Sequence, residues 1–334
     1  MQKNLVTKAV DSAIQEKYGL TMDSVSFNPA MKTVDDGIAF TISQLSSVEA
    51  KIYETKYQSI RFQEFVALDS SDPEWVDNVT YISYDAVTMG KFIGANGKDL
   101  PESDLNASKS TIPVFYGGLA SRWSLDELRK SQAMNMPIGS IKSQMNYRGY
   151  LEHKQQVAYF GDAERGVTGL FNGSNVSETV ATGFTPATAT GTEWVDMLNK
   201  QIELVYTSSA NVHVPNVQLI PQTLWGFLLK PMNEYTNKTI YEYYMENNYA
   251  KSLGVNLVLT PVFQLNTAGV NSTGRIMTYE LTPENLTMKD PMPYRTIAPQ
   301  PEGLTIKVPA EYKFGGVEFR YPGCAIYTDM PGLV

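Results

Sequence analysis

Apolar residues near the start of the chain recur at helical spacing. Leu5, Val6, Ala9, Val10, Ala13 and Ile14 share one side of a 3.6-residue period. Tyr18-Gly-Leu ends that helix, and Asn28-Pro29 and Asp35-Asp36-Gly37 are turn signals that separate the segment from the rest of the chain. The helix either packs on its own body or reaches as an arm onto a neighbouring copy. Leu45, Val48, Ile52 and Tyr53 predict a second helix over 43–57. The period then falls to two. Phe62-Gln-Glu-Phe-Val-Ala-Leu and Val79-Thr-Tyr-Ile-Ser-Tyr read as strands, and Thr111-Ile-Pro-Val-Phe-Tyr resumes strand character. Between Phe92 and Ser110 there is almost no apolar periodicity and many turn formers. Two extended runs joined by such a segment predict a long hairpin with a polar tip.

Ser124-Leu-Asp-Glu127 is a capping box, in which the serine hydroxyl accepts from the backbone of the third helical residue. It opens a short helix to about residue 134. Pro137 fits the first position of a second helix, where its missing N–H costs nothing. Ile138, Ile141 and Met145 begin an apolar face that Leu151, Val157, Ala158 and Phe160 continue. This helix runs some 20 residues, or about 30 Å, until Gly161-Asp162. Residues 164–192 are rich in Gly, Thr, Asn and Ser and read as loops. Trp194, Met197, Leu198, Ile202 and Val205 form a helical stripe behind Thr192 as the cap. Val217-Gln-Leu-Ile-Pro is a short strand. Thr239-Ile-Tyr-Glu242 is a second capping box, opening a helix closed by Gly254. Val255–Thr260 and the alternating residues 275–281 are further strands. In the tail, Leu304–Pro309 and Gly316–Pro322 look like a paired strand set separated by Glu311–Gly315. No repeat with a period of about 20–50 residues is present. One long helix, several shorter ones and many strands make an α+β pattern.

Composition narrows what such a fold can do. The chain has 334 residues with 43% hydrophobic and 19% charged, enough apolar material for a sizeable core and too little charge for a disordered chain. Its single cysteine excludes an internally stapled scaffold. With two separated histidines beside it, a zinc site is improbable and nucleophile machinery has few candidates. The net charge of −8 points away from a protein that grips nucleic acid through its phosphates. The longest apolar run, around Leu224–Leu229, is far short of the roughly 20 residues that span a bilayer. The positive start at Met1–Lys8 lacks the apolar stretch of a signal peptide. The Asn-x-Ser/Thr triplets at Asn78, Asn175, Asn237 and Asn285 are then chance matches.

Individual residues add little chemistry. Gly94-Ala-Asn-Gly-Lys98 is similar to a phosphate loop, but Phe92 stands where the first glycine belongs and Asp99 follows the lysine. A hairpin tip is the better reading. His153 lies on the long helix, His213 in a turn or strand start, and Cys324 in a strand-like tail. Nothing pairs either histidine with a nucleophile, and no Gly-x-Ser-x-Gly elbow exists. Asp35-Asp36 is a turn, not a pair of acids facing each other across a substrate. The tyrosines are dispersed without a basic stripe. No catalytic, cofactor-binding or metal-binding residue is assigned.

The order of parts and four local segments carry a resemblance. Asp85-Ala-Val-Thr-Met-Gly-Lys-Phe-Ile, Asp99-Leu-Pro, Phe160-Gly-Asp-Ala-Glu-Arg-Gly-Val-Thr-Gly-Leu-Phe-Asn and Gly315-Gly-Val-Glu-Phe-Arg-Tyr-Pro resemble a branch, first catalogued as a domain of unknown function, of the tailed-bacteriophage major capsid proteins with the Hong Kong 97-type fold. The resemblance spans roughly residues 40–330. It implies an N-terminal arm over 1–40. The start of a peripheral domain and an extended β-hairpin loop would cover 41–122, with the tip at about 94–108. The long spine helix of the peripheral domain would occupy 123–163, an axial domain 164–292, and returning peripheral-domain strands 293–334.

By the same resemblance the chain is a structural shell subunit, not an enzyme, and needs no cofactor. It would self-assemble as hexameric and pentameric capsomers into an icosahedral virion capsid, formed in the host cytoplasm, around double-stranded DNA bound without sequence specificity. A portal protein and scaffold or decoration proteins would be its other partners, and a membrane would not. Candidate inter-subunit contacts at the loop tip are Asn96, Lys98, Asp99, Glu102, Asp104 and Lys109. No matched cross-linking motif accompanies Lys98 or Lys109. The alternatives are a cellular nanocompartment shell of the same fold, an α+β enzyme built on carboxylates, and a tail or surface-binding protein. A net acidic subunit suits a container whose packaged DNA must leave.

Overall fold

The computed structural model of the chain describes residues 58–85, 106–133 and 138–331. The expected helices over 1–20 and 43–57, and the hairpin tip up to residue 105, lie outside them. In the 62–68 segment, where the pattern suggests a strand, the chain first closes one helical turn, α1 (Phe62–Phe65). Strand β1 (Ala67–Asp69) follows. Phe62 and Phe65 are both buried. A spacing of three puts them on one side of a helix but on opposite faces of a strand.

Strands β2 (Asn78–Asp85) and β3 (Asn106–Ser124) form the expected hairpin ladder, from Asn78 opposite Pro113 to Asp85 opposite Asn106. Helix α2 (Leu125–Ala133) begins where the Ser124 hydroxyl accepts from the Glu127 N–H at 3.0 Å. The Glu127 carboxylate pairs with Lys142 at 2.7 Å. That contact ties α2 to the long helix α3 (Ile138–Phe160), 23 residues and about 35 Å. Helix α3 ends at Gly161, whose φ of +67° suits glycine at a helix C-terminus. Its buried line is Tyr150, Lys154, Val157 and Ala158, while Met145 is exposed. Val157 and Ala158 of the predicted face are covered and Leu151 packs beside them, while Tyr150 and Lys154 join that face where aromatic rings of the sheet lie beneath. Tyr150 packs on Tyr312 at 4.9 Å and on Tyr294 at 5.2 Å between ring centres.

A strand, β4 (Ser177–Val180), forms inside the segment expected to be loop. It is a short polar edge strand, and its mostly exposed residues leave no alternation to read. Helix α4 (Gly191–Ser208) follows, capped by Thr190 and not by Thr192. Glu193 stands three residues after Thr190 and returns the hydrogen bond to its N–H at 2.7 Å. Thr192 is followed at that spacing by Val195, which cannot. Then come β5 (Val217–Pro221) and α5 (Gln222–Leu228). The expected helix over 240–254 is two pieces, α6 (Ile240–Glu246) and α7 (Tyr249–Ser252). Asn248 caps α7 and also donates to the Tyr244 carbonyl at 3.2 Å, which stops α6.

The remaining strands are β6 (Val258–Val262), β7 (Gly274–Tyr279), β8 (Leu286–Lys289), β9 (Met292–Thr296), β10 (Gln300–Glu302), β11 (Thr305–Gly315), β12 (Val317–Phe319) and β13 (Ala325–Met330). Among the described residues they complete three sheets, ordered β10-β11-β3-β2 with β9 also on β11, β4-β13-β7-β5-β6, and β1-β8-β12. The tail segments are not paired with each other. Strand β11 runs unbroken beside β3, from Thr305 opposite Ser124 to Gly315 opposite Val114. Strand β12 crosses to β8. The change of sheet falls at Gly315-Gly316. A Cβ on Gly315 would meet the Pro113 carbonyl at 3.0 Å, and one on Gly316 would meet the Thr168 carbonyl at 2.6 Å. Only glycine passes between those backbones.

The sheet β4-β13-β7-β5-β6 is covered on both faces. Met277 and Tyr279 join one apolar cluster, which includes Val157, Leu170, Phe171 and Phe314. Ile276 on the alternate face joins another, with Trp194, Leu198, Ile202 and Leu224. All six β7 residues are therefore buried, so a strand expected to alternate has no wet face. Arg275 of β7 is buried in the sheet, held by Asp329 of β13 at 2.7 and 3.0 Å, by Glu178 of β4 at 3.0 Å and by the Phe171 carbonyl at 2.8 Å. Removing one member of such a buried set strands the other's charge. Asp329→Ala is expected to lower stability by about 3–5 kcal/mol, read from the urea midpoint of unfolding.

Candidate functional site

Of the sequence-predicted contact residues, Asn96, Lys98, Asp99, Glu102 and Asp104 lie outside the described residues. Lys109 lies on β3, exposed, opposite Ile82 of β2. It stands on the shaft of the hairpin instead of the tip. The shaft has a geometry that length alone does not announce. β3 is 19 residues long, but β11 stops opposite Val114. Residues 106–113 therefore have only β2 beside them among the described residues. A two-stranded ribbon is marginally stable by itself in water, and its two outer edges present unpaired backbone groups.

The side chains along the shaft suit cover by another surface. Ile82 is 57% exposed, and Lys109, Ser110 and Thr111 are exposed around it. Thr80 and Thr111 join their hydroxyls across the ladder at 3.1 Å, which adds cross-strand support on a polar face. At the root of the shaft the backbone N–H of Val114 donates to the Asp77 carbonyl at 2.8 Å, so residue 114 faces the β2 side. Position 113 then faces the β11 side. It is proline, which has no N–H to offer there. The signal that could have marked the shaft is Ile82, an apolar residue at an outward position of an alternating strand.

The residues weighed for catalysis are placed as follows. His153 Nδ1 lies 2.8 Å from the Tyr312 hydroxyl, with its ring 5.3 Å from that of Phe314. Burial pushes its pKa below the usual histidine value. It borders a cleft of about 210 Å³ with Phe115, Tyr116, Arg165 and Tyr312. His213 Nδ1 lies 2.7 Å from Glu280 Oε2, and the Glu280 N–H donates to the Cys324 carbonyl at 3.0 Å. The fold thus brings His213 to the Glu280 side chain and Cys324 to its backbone, which the sequence did not suggest. Burial, reinforced by that carboxylate, pushes the Cys324 thiol up to about 12. A thiol that stays protonated is not a nucleophile. Among the described residues no group of three or more His, Cys, Asp or Glu is placed to hold a metal ion. No described helix is long and apolar enough to cross a membrane.

A family model described as major capsid protein matches residues 89–330, well over half of the chain. The chain belongs to the major capsid protein family. Solved structures similar to this capsid protein include the capsid of Myoviridae phage XM1, with a TM-score of 0.75 at 16% identity over 86% of this chain and 97% of that one. Mycobacterium phage Ogopogo gives 0.58 at 11% identity over 87% and 98%. The capsid of an empty GTA particle gives 0.58 at 11% identity over 91% and 99%. At these identities the shared property is the fold, an α+β capsid fold of the Hong Kong 97 type. No curated protein matches the sequence.

In the unassembled capsid protein the ribbon is expected to open more readily than the strand that continues it. Amides of residues 78–85 and 106–112 should exchange with deuterium at least about tenfold faster than those of 114–124, measured by hydrogen exchange with peptide-level mass spectrometry.

Proposed function

We propose that the chain is the shell subunit of a tailed bacteriophage. It self-assembles through hexameric and pentameric capsomers into an icosahedral shell that encloses double-stranded DNA. One observation carries this reading beyond family membership. The β2–β3 ribbon runs past the end of β11 with no third strand among the described residues, and a ribbon of that kind gains its order from a surface outside its own core. A second copy of the chain supplies that surface repeatedly in a closed shell, where several interfaces hold each subunit.

Under this reading the hairpin is the extended loop, and residues 94–108 with Lys109 behind them contact neighbouring subunits. Helix α3 with β3, β9, β10 and β11 forms the peripheral domain. Helices α4 to α7 with β4 to β7 form the axial domain. Strand β13 joins the axial sheet through β7 and β4, so the chain crosses back before its last residues. Residues 1–40 serve as the arm. The subunit works without catalysis or cofactor. The net charge of −8 suits contact with DNA that is enclosed and later released, without sequence-specific binding. Portal, scaffold and decoration proteins meet the assembled lattice, and assembly takes place in the host cytoplasm before the protein resides in the virion capsid.

Negative-stain electron microscopy of the purified protein is expected to show capsomers or closed shells. A strictly monomeric species across concentration and salt would falsify the proposal. Particles from the source that contain enzymes and no DNA would instead identify a nanocompartment shell. Deleting residues 94–108 is expected to preserve cooperative unfolding and abolish closed shells. A normal particle yield from that deletion would contradict the extended-loop assignment.

A further inference from the structure

The three-stranded sheet β1-β8-β12 carries one more negative charge than its surroundings match. Glu318 of β12 stands opposite Thr287 of β8, and Thr287 opposite Ala67 of β1. Two residues along, on the same face, Lys289 stands opposite Asp69. Glu318 is only 5% exposed. Neither of its carboxylate oxygens, nor the Thr287 hydroxyl, has a hydrogen-bond partner of normal geometry among the described residues. Of the nearby cations, Lys289 is committed elsewhere and Arg320 is shared at long range. Lys289 bonds Asp69 at 2.6 Å and lies 2.9 Å from Asp72. Although burial works against it, hydrogen bonds from Lys289 and Ser71 hold the Asp69 carboxyl down at about 2. Arg320 lies 3.6 Å from Glu318 and 3.9 Å from Asp69, outside hydrogen-bond distance of both. It donates instead to the Pro283 carbonyl at 3.4 Å. The other titratable group facing Glu318 is Tyr81, on β2 of the ribbon. The adjacent Asp290 is matched by Lys154 at 2.5 Å. Three carboxylates, Asp69, Asp72 and Glu318, therefore share two cations.

We propose that Glu318 is carried protonated in the folded subunit and acts as a proton-linked latch between the β1-β8-β12 sheet and strand β2 of the β2–β3 ribbon. The neutral carboxyl balances the cluster, since the remaining two carboxylates meet two cations. It also supplies an O–H that the facing Thr287 or Tyr81 oxygen can accept. Once ionised, the buried carboxylate has no committed cation. It competes with Asp69 for Arg320 and draws on the Tyr81 hydroxyl, so the change is felt on β2, within the ribbon. Burial raises the carboxyl above the usual glutamate range. The sign follows from linkage: the stability gained is full below the ordinary glutamate value and is lost as pH rises through the raised one. The latch is closed in acid and loosened toward alkaline pH. This inference rests on the charge cluster and stands whether or not the shell reading holds.

The test uses the unassembled full-length chain, with Glu318→Gln as a permanently neutral mimic. Urea midpoints of wild type are expected to fall, relative to the variant, as pH rises from the ordinary glutamate range toward mildly alkaline values. The variant should be the more stable of the two at the upper end. Over the same range, exchange of β2 amides corrected for intrinsic chemistry should accelerate in wild type and stay level in the variant. Arg320→Gln, at a partly exposed position, removes the shared cation and should move the wild-type decline to higher pH. Parallel midpoint curves for wild type and Glu318→Gln would overturn the proposal, as would a variant less stable at every pH. If the glutamine variant does not fold, an unmoved decline in Arg320→Gln decides against the latch and an upward shift decides for it.

Discussion

Everything that projects from this subunit depends on how one strand is shared. Strand β3 is paired on one side by β2 over residues 106–113 and on the other by β11 over 114–124. The handover falls at Pro113. A proline there withholds the donor that would continue the β11 side of the ladder. Gly315, opposite Val114, lets the partner backbone leave at close quarters. One half of β3 is thereby fixed in a sheet whose inner face packs on α3, and the other half is carried outward as a ribbon. The rigid half sets the direction of the projecting half. A subunit that must meet copies of itself at defined angles needs that coupling, because a hairpin hinged on a loop would transmit no orientation.

The rest of the molecule makes that anchor firm. The sheet around β7 is apolar on both faces, so two clusters share one layer and neither can loosen without exposing the other. Fully burying a large apolar side chain is worth roughly 1.5–3 kcal/mol, and Trp194, Leu198, Leu219 and Met277 are all buried against it. Specificity comes from charges set inside these layers. Arg275 links β7, β13 and β4 through Asp329 and Glu178. Lys154 fastens α3 to the end of β8 through Asp290. Buried pairs of this kind give little net stability but penalise any arrangement that separates them, which suits a chain whose segments cross repeatedly between sheets.

How far the sequence could be read depends on the range of each signal. The capping boxes at Ser124 and Thr239, the Gly161 stop and the stripe from Trp194 to Val205 are local, and the structure carries them at or within a residue of the expected place. The cap of α4 sits at Thr190, two residues before the expected Thr192, although Glu193 already marks it. Periodicity fails where tertiary packing overrides it. β4 is a polar edge strand defined only by its partner β13, and β7 has no wet face. Phe62 and Phe65 form a helical turn because the core wants both on one side. The tail fails for a different reason. Two extended runs separated by a short polar stretch look like a hairpin, and only the steric requirement at Gly315-Gly316 shows that the chain changes sheets there. At the candidate site, the pairing of β2 with β3 is legible from their two extended runs. The exposed shaft around Ile82 is not, because it exists only relative to where β11 ends.

Both histidines and the single cysteine lie at contacts between segments distant in sequence. His213, Glu280 and Cys324 come together in the fold, the one arrangement among the described residues that could have suggested a nucleophile. The thiol is buried and held protonated, and the Glu280 carboxylate is occupied by His213 and by Asn285 at 2.8 Å. His153 is likewise spent on Tyr312 and the aromatic layer under α3. Each rare polar group serves as a fastener between segments distant in sequence. That use of chemistry is a consequence of the topology. A chain that returns repeatedly to sheets it has already left needs specific ties at every return, and the titratable residues of this subunit are the ties.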